Sequence, residues 1–477
     1  MSRRPSYNLT LTTLGIAGLA YALQQTMVVP AMPALQRDLH TTTAWTTWVL
    51  SGFLLAASVG TPLLGKLGDQ HGKERLLVVS LALFLAGCIG AAAAWNIWSL
   101  IAFRLLQGAA GAIFPLAFSI IRDEFPRERI AGAIGAVSAV FGIGAPVGLI
   151  LSGVIVDHLS WRWIFIVGSV PVAVAVVLVH RFVPESPVKT KARLDLPGAA
   201  TLSAALLCLL VPLTEAERWG WTSLRSLGLF AGAAAFLAGW VAIELRVPEP
   251  MVNVRMLTRR PIVLTNLATL IAGFSMYSTF VLVPNFAETP RQLDHSLARL
   301  VDYGFGASAT TTGLYMVPGA LLMLPAASAA GRIDRRVGSK WALAAGMAMI
   351  ALGAGWLARF NDHPWQIVLG IVIFNPGVAL GFAAMSTLIT RTVEAVETGI
   401  ANAMNTVLRT IGGVVGAQIA AAILASERIG STSVPSRHAF VSAFTLFSVA
   451  AVVGVGAALL VTPLGRRRPV EATAGAD

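Results

Sequence analysis

Charged residues are scarce in this sequence. Asp, Glu, Lys and Arg make up 12 % of its 477 residues, and the mean hydropathy is +0.74, whereas soluble domains carry about 25 % charged residues. A chain of this length with so little charge cannot cover its own surface with polar groups, which excludes a soluble globular protein. The composition instead predicts a protein that crosses the membrane many times.

Cysteine is also nearly absent. Only Cys88 and Cys208 occur, each within an apolar run, which excludes a disulfide framework and predicts small buried side chains. The seven histidines fall in loops or near predicted helix ends, and no HExxH or GxSxG motif occurs. We therefore predict that the protein is not an enzyme and binds no metal and no cofactor.

Long apolar runs make up most of the chain. A helix needs about 20 mostly apolar residues to cross the bilayer, and these runs are too long for the strands of a membrane barrel. We predict an all-α fold with fourteen transmembrane helices, so that both chain termini lie on the same side. The predicted spans are 9–31, 45–65, 76–95, 97–121, 130–156, 161–182, 197–213, 224–244, 261–284, 311–330, 341–358, 365–389, 398–425 and 439–462.

The net charge of +12 is distributed unequally across the predicted membrane. Of the 35 Lys and Arg residues, 24 fall on the side of the termini, nine fall on the opposite side and two lie within spans. Cytoplasmic loops carry such an excess of Lys and Arg. The termini are therefore predicted to be cytoplasmic, the first span is predicted to be retained as a helix, and no nucleic-acid partner is expected.

The charges inside the predicted spans are all positive. The 23 acidic residues lie in loops or at span ends, whereas Arg104 and Arg409 lie deep in the fourth and thirteenth spans. A charge at this depth is energetically unfavourable and usually functional. We predict that Arg104, with Gln107 one turn further on, and Arg409 bind substrate or couple transport. The alternative is a structural anchor that donates hydrogen bonds to backbone carbonyls.

Two glycine-rich segments carry further motifs. In the fifth span, Gly144 and Gly148 allow another helix to approach closely, and Pro146 bends the helix, which predicts a hinge or a seal. Plain helix packing is the alternative there. The connection after the second span predicts a tight charged turn, in which Asp69 can cap the next helix. Its notable residues are Gly65, Gly68, Asp69, Gly72, Lys73 and Arg75.

These segments together resemble the major facilitator superfamily. Segment 65–75 is similar to its signature loop, G-x-L-[AG]-D-x-x-G-[RK]-x-[RK], and 100–111 is similar to its motif with a buried arginine. The run that holds Gly142, Gly144, Pro146, Gly148 and Gly153 is similar to a motif of its exporters. Segments 161–165 and 399–413, the latter with Asn402 and Asn405, resemble the fourteen-helix drug:proton antiporter branch. The resemblance covers nearly the whole chain.

The resemblance implies two six-helix bundles, 1–182 and 261–462, separated by two inserted helices and their flanking loops at 183–260. A cytoplasmic tail, 463–477, is predicted to be disordered. The implied function is secondary active export of a small molecule (a drug, antibiotic or natural product) across a bacterial inner membrane. Alternating access around a midplane site would carry it, and proton influx would drive it. The implied partners of the monomer are substrate, protons and the lipid bilayer.

Segment 65–75 would then be a gating loop and the fifth-span motif a hinge. We predict that substrate binding or coupling involves Gln24, Gln25, Arg104, Gln107, Asn402, Asn405 and Arg409. An uptake transporter or an uncoupled facilitator of the same fold is the alternative. A membrane enzyme or an assembly component would need a catalytic constellation that the spans lack.

The first helix departs from that branch, which usually carries an aspartate in a pattern such as L-D-x-T. This chain has Gln24 and Gln25 before Thr26. With two buried arginines and no buried acid, an anionic or neutral polar substrate is predicted rather than a lipophilic cation. The proton sites considered are Asp69, Asp123 and Glu124. The two glutamines can alternatively form interhelical hydrogen bonds worth roughly 1 kcal/mol.

Overall fold

The computed structural model describes residues 7–185, 195–248, 250, 254, 259–290, 302–392, 398–429, 432 and 434–461. These residues are almost entirely helical, and the β pairing among them is a single bridge between Arg428 and Pro435. The tail that was predicted to be disordered, 463–477, lies outside the described residues.

Sixteen helices follow one another in the described part of the chain. They are α1 (Tyr7–Thr26), α2 (Val28–Asp38), α3 (Thr43–His71), α4 (Lys73–Ala92), α5 (Ile97–Ala109), α6 (Ile113–Glu124), α7 (Arg127–His158), α8 (Arg162–Phe182), α9 (Leu196–Trp219), α10 (Leu224–Glu244), α11 (Arg260–Glu288), α12 (Ala309–Val337), α13 (Ser339–Arg359), α14 (Pro364–Thr392), α15 (Thr398–Ser426) and α16 (Arg437–Leu460).

Local sequence signals set several helix ends. The Ser308 and Ser436 side chains accept hydrogen bonds from the backbone amides of Thr311 and Ala439 and so cap α12 and α16. Asn96 and Ser99 form a reciprocal capping box at the start of α5. Between α3 and α4 the chain reverses at Gly72, whose φ of +118° is a conformation that residues with a Cβ rarely adopt.

The first membrane crossing is bent. Helices α1 and α2 meet at Met27 with a bend of 42°. Pro30, in the first turn of α2, has no amide hydrogen to donate back across the junction, which explains a break at this point. The break leaves Gln24 and Gln25 at the end of α1, in the middle of the crossing.

By length and composition, eleven described helical spans can cross a membrane, or twelve when α1 and α2 are counted as one bent span. Helices α7 and α9 contain shorter apolar stretches, Pro146–His158 and Leu196–Pro212. An all-helical fold with many spans is therefore confirmed, and the predicted number of fourteen is not.

The helices pack as two groups. Helices α1–α8 pack mainly on one another, and we call them the first bundle; helices α11–α16 do the same and are called the second bundle. Helix α7 lies against α12, and α3 lies against α15, so that these two pairs form most of the seam between the bundles; α2 adds contacts with α11 and α12. The boundaries that the sequence suggested for these units stay a prediction.

The two helices that the sequence predicts as an insertion, α9 and α10, lie beside one of these pairs. Helix α9 packs against α10, and it also contacts α3 and α15 at the seam. Trp45 of α3 donates a hydrogen bond from its Nε1 to Glu215 Oε1 of α9 over 2.9 Å. Only 11 % of the most apolar 18-residue stretch of α10 is buried. This is expected of a helix that faces lipid on most sides. The insertion is therefore attached at the edge of the molecule, away from the bundle interiors.

Candidate functional site

The helices begin and end on two opposite sides of the molecule. The side on which α1 begins is called the terminal side, and the side on which α2 ends is called the far side. The two glutamines that end α1 point to different neighbours. Gln24, buried in the first bundle, donates from its Nε2 to the Phe165 carbonyl over 3.4 Å and lies 3.3 Å from Cys88 Sγ. Gln25 donates to the Tyr277 hydroxyl of α11 over 3.1 Å. Gln24 thus follows the alternative of an interhelical bond, whereas Gln25 joins the two bundles.

Arg104 of α5 is fully buried. Its Nε donates to the Val49 carbonyl of α3 over 2.8 Å, and its Nη1 donates to Gln107 Oε1 over 2.5 Å. The guanidinium lies 4.4 Å from the centre of the Phe53 ring. Its Nη2 has no hydrogen-bond partner in the part of the chain that the structure describes. Arg104 is therefore anchored as in the structural alternative, and it keeps one donor that a ligand can use.

Arg409 of α15 has a similar environment in the second bundle. Its guanidinium lies 4.7 Å from the centre of the Phe382 ring of α14, a cation–π arrangement like that of Arg104. Tyr21 of α1 is close enough to interact electrostatically with both Arg104 and Arg409, and with Tyr277. The structure thus brings two guanidinium groups and two tyrosine hydroxyls to one central region between the bundles. We call Tyr21, Gln25, Arg104, Tyr277 and Arg409 the central cluster.

Asn405, also on α15, lies outside this cluster. Its Nδ2 donates to Asn266 Oδ1 over 2.9 Å and to Thr269 Oγ1 over 2.5 Å, both on α11. This network joins α11 to α15 within the second bundle, about one turn from Arg409 toward the terminal side. The side chain of Asn402 is outside what the structure describes.

The turn after α3 is tied to the first bundle. Lys73, only 2 % exposed, forms a short ion pair with Asp123 at the end of α6. A Cβ on Gly68 would lie 2.7 Å from Leu116 of α6, so the glycine permits this packing. Gly65 has open space around it, and the Asp69 side chain lies outside the described residues. The buried pair makes Asp123 a structural anchor as well as a proton-site candidate.

A second set of contacts ties the same turn to the end of α8. The Glu185 carboxylate accepts a hydrogen bond from the Glu74 backbone amide over 3.3 Å and lies 3.8 Å from Arg75 Nε. His180 Nδ1 lies 3.5 Å from Glu74 Oε1. These ionisable groups all lie at the terminal-side end of the first bundle.

The glycines of α7 contact two different partners. A Cβ on Gly144 would lie 2.9 Å from Ala22, and one on Gly148 would lie 2.2 Å from Thr26, so both glycines pack against α1. A Cβ on Gly153 would lie 2.4 Å from the Thr310 Cα of α12, across the seam. Pro146 is buried in α7, and the surroundings of Gly142 are outside the described part. The predicted hinge motif therefore packs against α1 with one part and meets the second bundle with another.

Polar bonds close the far side of the seam. Asp157, near the end of α7, accepts from the backbone amides of Ala309 and Thr310 over 2.9 Å each, so a first-bundle carboxylate caps a second-bundle helix. Gln418 of α15 donates to Ser51 Oγ of α3 over 2.7 Å. With Gln25–Tyr277, these bonds lie in the middle or the far-side half of the crossing, and they hold the bundles together there.

The sequence interpretation missed Tyr21, Tyr277, Ser51, Gln418 and Asp157. Tyrosine is a usable signal, because the chain has only five tyrosines and two of them fall in the central cluster. A buried glutamine within an apolar helix, such as Gln418, is another such signal. Ser51 carried no such signal in the sequence, because a serine in a membrane helix commonly bonds to its own backbone.

Comparison with known proteins agrees with this architecture. The family model of the Major Facilitator Superfamily matches residues 14–417 and 265–476. The tetracenomycin C resistance and export protein of Streptomyces glaucescens is 27 % identical over 431 residues, which cover 88 % of this chain and 76 % of that protein. Multidrug resistance protein 3 of Bacillus subtilis is 28 % identical, over 85 % and 77 % of the two chains. The probable actinorhodin transporter of Streptomyces coelicolor is 28 % identical, over 87 % and 72 %.

Solved structures with low sequence identity share the fold. The nucleoside transporter NupG has a TM-score of 0.64 at 13 % identity, with 95 % of this chain and 99 % of that chain covered. A partially occluded, inward-open structure of the xylose transporter XylE from E. coli has a TM-score of 0.62 at 12 % identity, with 94 % and 96 % covered.

The contact at Gly153 generates a prediction. We expect Gly153→Ala to force α7 and α12 apart, because its methyl group would collide with the backbone of Thr310. The far-side seam should then become accessible to water, while the protein stays folded. Accessibility of a cysteine at Leu149 to a membrane-impermeant maleimide measures this, with Cys88 and Cys208 replaced by alanine. Val147→Ala, on the exposed face of α7, is the control; equal labelling of both variants would contradict the prediction.

Proposed function

Since this chain belongs to the Major Facilitator Superfamily, we propose that it exports a small molecule across the bacterial cytoplasmic membrane by alternating access. The proposal is carried by the central cluster. Both bundles contribute residues to this cluster, and the seam between them is closed on its far side. The names of two relatives support export as the direction, since one describes resistance to and export of tetracenomycin C and the other describes multidrug resistance.

The charge distribution supports the orientation. With 24 cationic residues on the side of the termini and nine opposite, we place the terminal side in the cytoplasm. The far side is then the outer surface, and the described conformation is closed to the outside. In this orientation a substrate enters the central cluster from the cytoplasm, and it leaves after the bundles part on the outer side.

The central cluster supports a substrate class. Arg104 has a guanidinium donor available, and Arg409 adds a second positive charge within electrostatic range of Tyr21, as Arg104 is. Phe53, Phe84 and Phe114 surround Tyr21, with ring centres 5.6–5.8 Å from the tyrosine ring. Guanidinium groups favour anions, and aromatic walls favour flat rings. We assign the protein an aromatic substrate that is anionic or carries phenolic hydroxyls, in line with the anionic or neutral class expected from the sequence.

The steps of the proposed transport cycle are inferred from the bonds at the seam. Outward opening requires that Gln25 leave Tyr277, that Gln418 leave Ser51, and that Asp157 release the start of α12. Each group then gains water as its partner, so the exchange changes the free energy little. The turn at 65–75 and the glycines of α7 carry the movement at either end of the first bundle. Coupling to proton influx is part of the proposal; Asp69, Asp123 and Glu124 are its terminal-side candidates, and no cofactor takes part.

An uncoupled facilitator of the same fold is the second candidate. The observation that favours it is Gln24, which stands where the antiporter branch usually has an acid and which is bonded within its own bundle. If transport runs into the cell, the candidate function is uptake of the same class of substrate.

Proton coupling predicts the result of a liposome experiment. Purified protein is reconstituted in liposomes loaded with an anionic aromatic dye, and a pH gradient of either sign is imposed. We expect dye movement against its own gradient when protons flow in the opposite direction, and equilibration alone without a pH gradient. Protein-free liposomes are the control. Transport that is indifferent to the gradient would identify a facilitator.

The substrate class predicts the effect of the two arginines. Arg104→Gln and Arg409→Gln should each lower resistance to anionic aromatic compounds by about tenfold, the effect of losing one charge-assisted bond of about 1.5 kcal/mol. A drug-sensitive host that expresses each variant is tested against anionic, neutral and cationic compounds. Arg359→Gln, at the exposed end of α13, is the matched control. Loss of cation resistance with anion resistance intact would contradict the assignment.

A further inference from the structure

The far-side end of α11 carries a carboxyl group to which the proposed function gives no role. Glu288 is the last residue of α11 and is 9 % exposed. Its Oε1 has no hydrogen-bond partner within the described residues. A buried carboxylate whose oxygens are not all hydrogen-bonded is unfavourable, and the penalty is removed when the group takes up a proton or when water reaches it.

Groups from three other helices face Glu288. Arg37 of α2 and Asp157 of α7, both exposed, act on its carboxyl electrostatically. Thr312 of α12 is fully buried beside it, and its hydroxyl lies within reach of the carboxyl group without forming a well-aligned hydrogen bond. Arg37 and Asp157 belong to the first bundle, whereas Glu288 and Thr312 belong to the second. The buried carboxyl therefore lies on the seam.

The backbone holds Glu288 in this buried position. Downstream of α11, the amides of Phe305 and Ala307 donate to the Ala287 carbonyl over 3.3 and 3.0 Å, and the amide of Gly306 donates to the Thr289 carbonyl over 3.0 Å. These bonds fold the chain back over the end of α11. The end of α11 that carries the carboxyl is thus covered by the chain while the seam is closed.

The neighbouring carboxylate connects this site to the closure of the seam. Asp157 is exposed to far-side solvent, and it accepts both amides at the start of α12. An ionised Glu288 is repelled by Asp157 across the seam and attracted by Arg37, and its loss of water there is the largest of the three effects. A neutral Glu288 removes that penalty. Closure of the far side is therefore easier with a proton on Glu288 than without one.

We propose that Glu288 is the proton-uptake site of the transport cycle. With the bundles apart on the far side, a hydronium ion in that solvent transfers its proton to the Glu288 carboxylate. One O–H bond forms on the carboxyl group, one O–H bond of hydronium breaks, and water remains. The seam then closes over the neutral group. This inference rests on the proton coupling proposed above, and it places the uptake step at the outer seam.

The test follows the far-side distance between the bundles as a function of pH. Spin labels are attached at Leu159→Cys of the first bundle and His363→Cys of the second, both exposed at far-side helix ends. The full chain, with Cys88 and Cys208 replaced by alanine, is reconstituted in lipid. Pulsed electron paramagnetic resonance then gives the distance distribution. We expect a short distance in acid and a shift of population to a longer distance in alkali.

Variants identify the group that titrates. Glu288→Gln should keep the short distance at every pH, whereas Glu288→Asp should retain the pH dependence. Glu427→Gln is the matched control, because Glu427 is a far-side carboxylate that pairs with His438 within the second bundle; its response should equal that of the parent. A response that persists in Glu288→Gln but is lost in Asp157→Asn would assign the proton to Asp157 and overturn the proposal.

The liposome experiment separates this inference from the proposed function. A far-side distance that does not respond to pH, combined with gradient-driven transport, overturns the role of Glu288 and leaves export by proton antiport standing. Transport that is indifferent to the pH gradient overturns both, because the cycle then takes up no proton.

Discussion

The structure depends on one constraint, which is that a polar group inside a membrane protein needs a partner. Apolar packing within each bundle is plentiful, but it does not distinguish one arrangement of the two bundles from another. The polar bonds of the seam do. Gln25 bonds to Tyr277, Gln418 bonds to Ser51, and Asp157 accepts from the start of α12 in the described arrangement, which is closed on the far side. Water can replace these partners in an open state, so the same constraint permits two conformations.

The same constraint explains how a positive charge can remain buried at the centre. Arg104 satisfies two of its donors on Val49 and Gln107 and stacks on Phe53, so it remains buried without an acidic partner among the described residues. Its Nη2 has no acceptor in the part of the chain that the structure describes. In the function that we propose, an anionic or phenolic oxygen of the substrate is that acceptor. One side chain can therefore serve as a structural anchor and as the proposed ligand contact, which the sequence alone presented as alternatives.

Local signals in the sequence were sufficient for some features. The all-helical fold and the tight turn at Gly72 follow from composition and from glycine, and Arg104 was identifiable as a charge in an apolar run. The partners across the seam could not be predicted, because Gln25 and Tyr277 are 252 residues apart and Ser51 and Gln418 are 367 apart. Glu288 follows the predicted span 261–284 and so falls in a loop of the sequence prediction, where acids are ordinarily solvated. Only the backbone folding back over α11 shows that it is buried.

In the proposed transport cycle, the far-side seam must open and close each time a substrate is transported. Ser51→Cys and Gln418→Cys place two thiols at the bond between α3 and α15, in a chain whose native cysteines are alanine. The direct measurement is dye transport in liposomes before and after treatment with a short bifunctional thiol reagent that joins the two thiols. We predict that cross-linked protein stops transporting while either single-cysteine variant continues. Undiminished transport by fully cross-linked protein would contradict it.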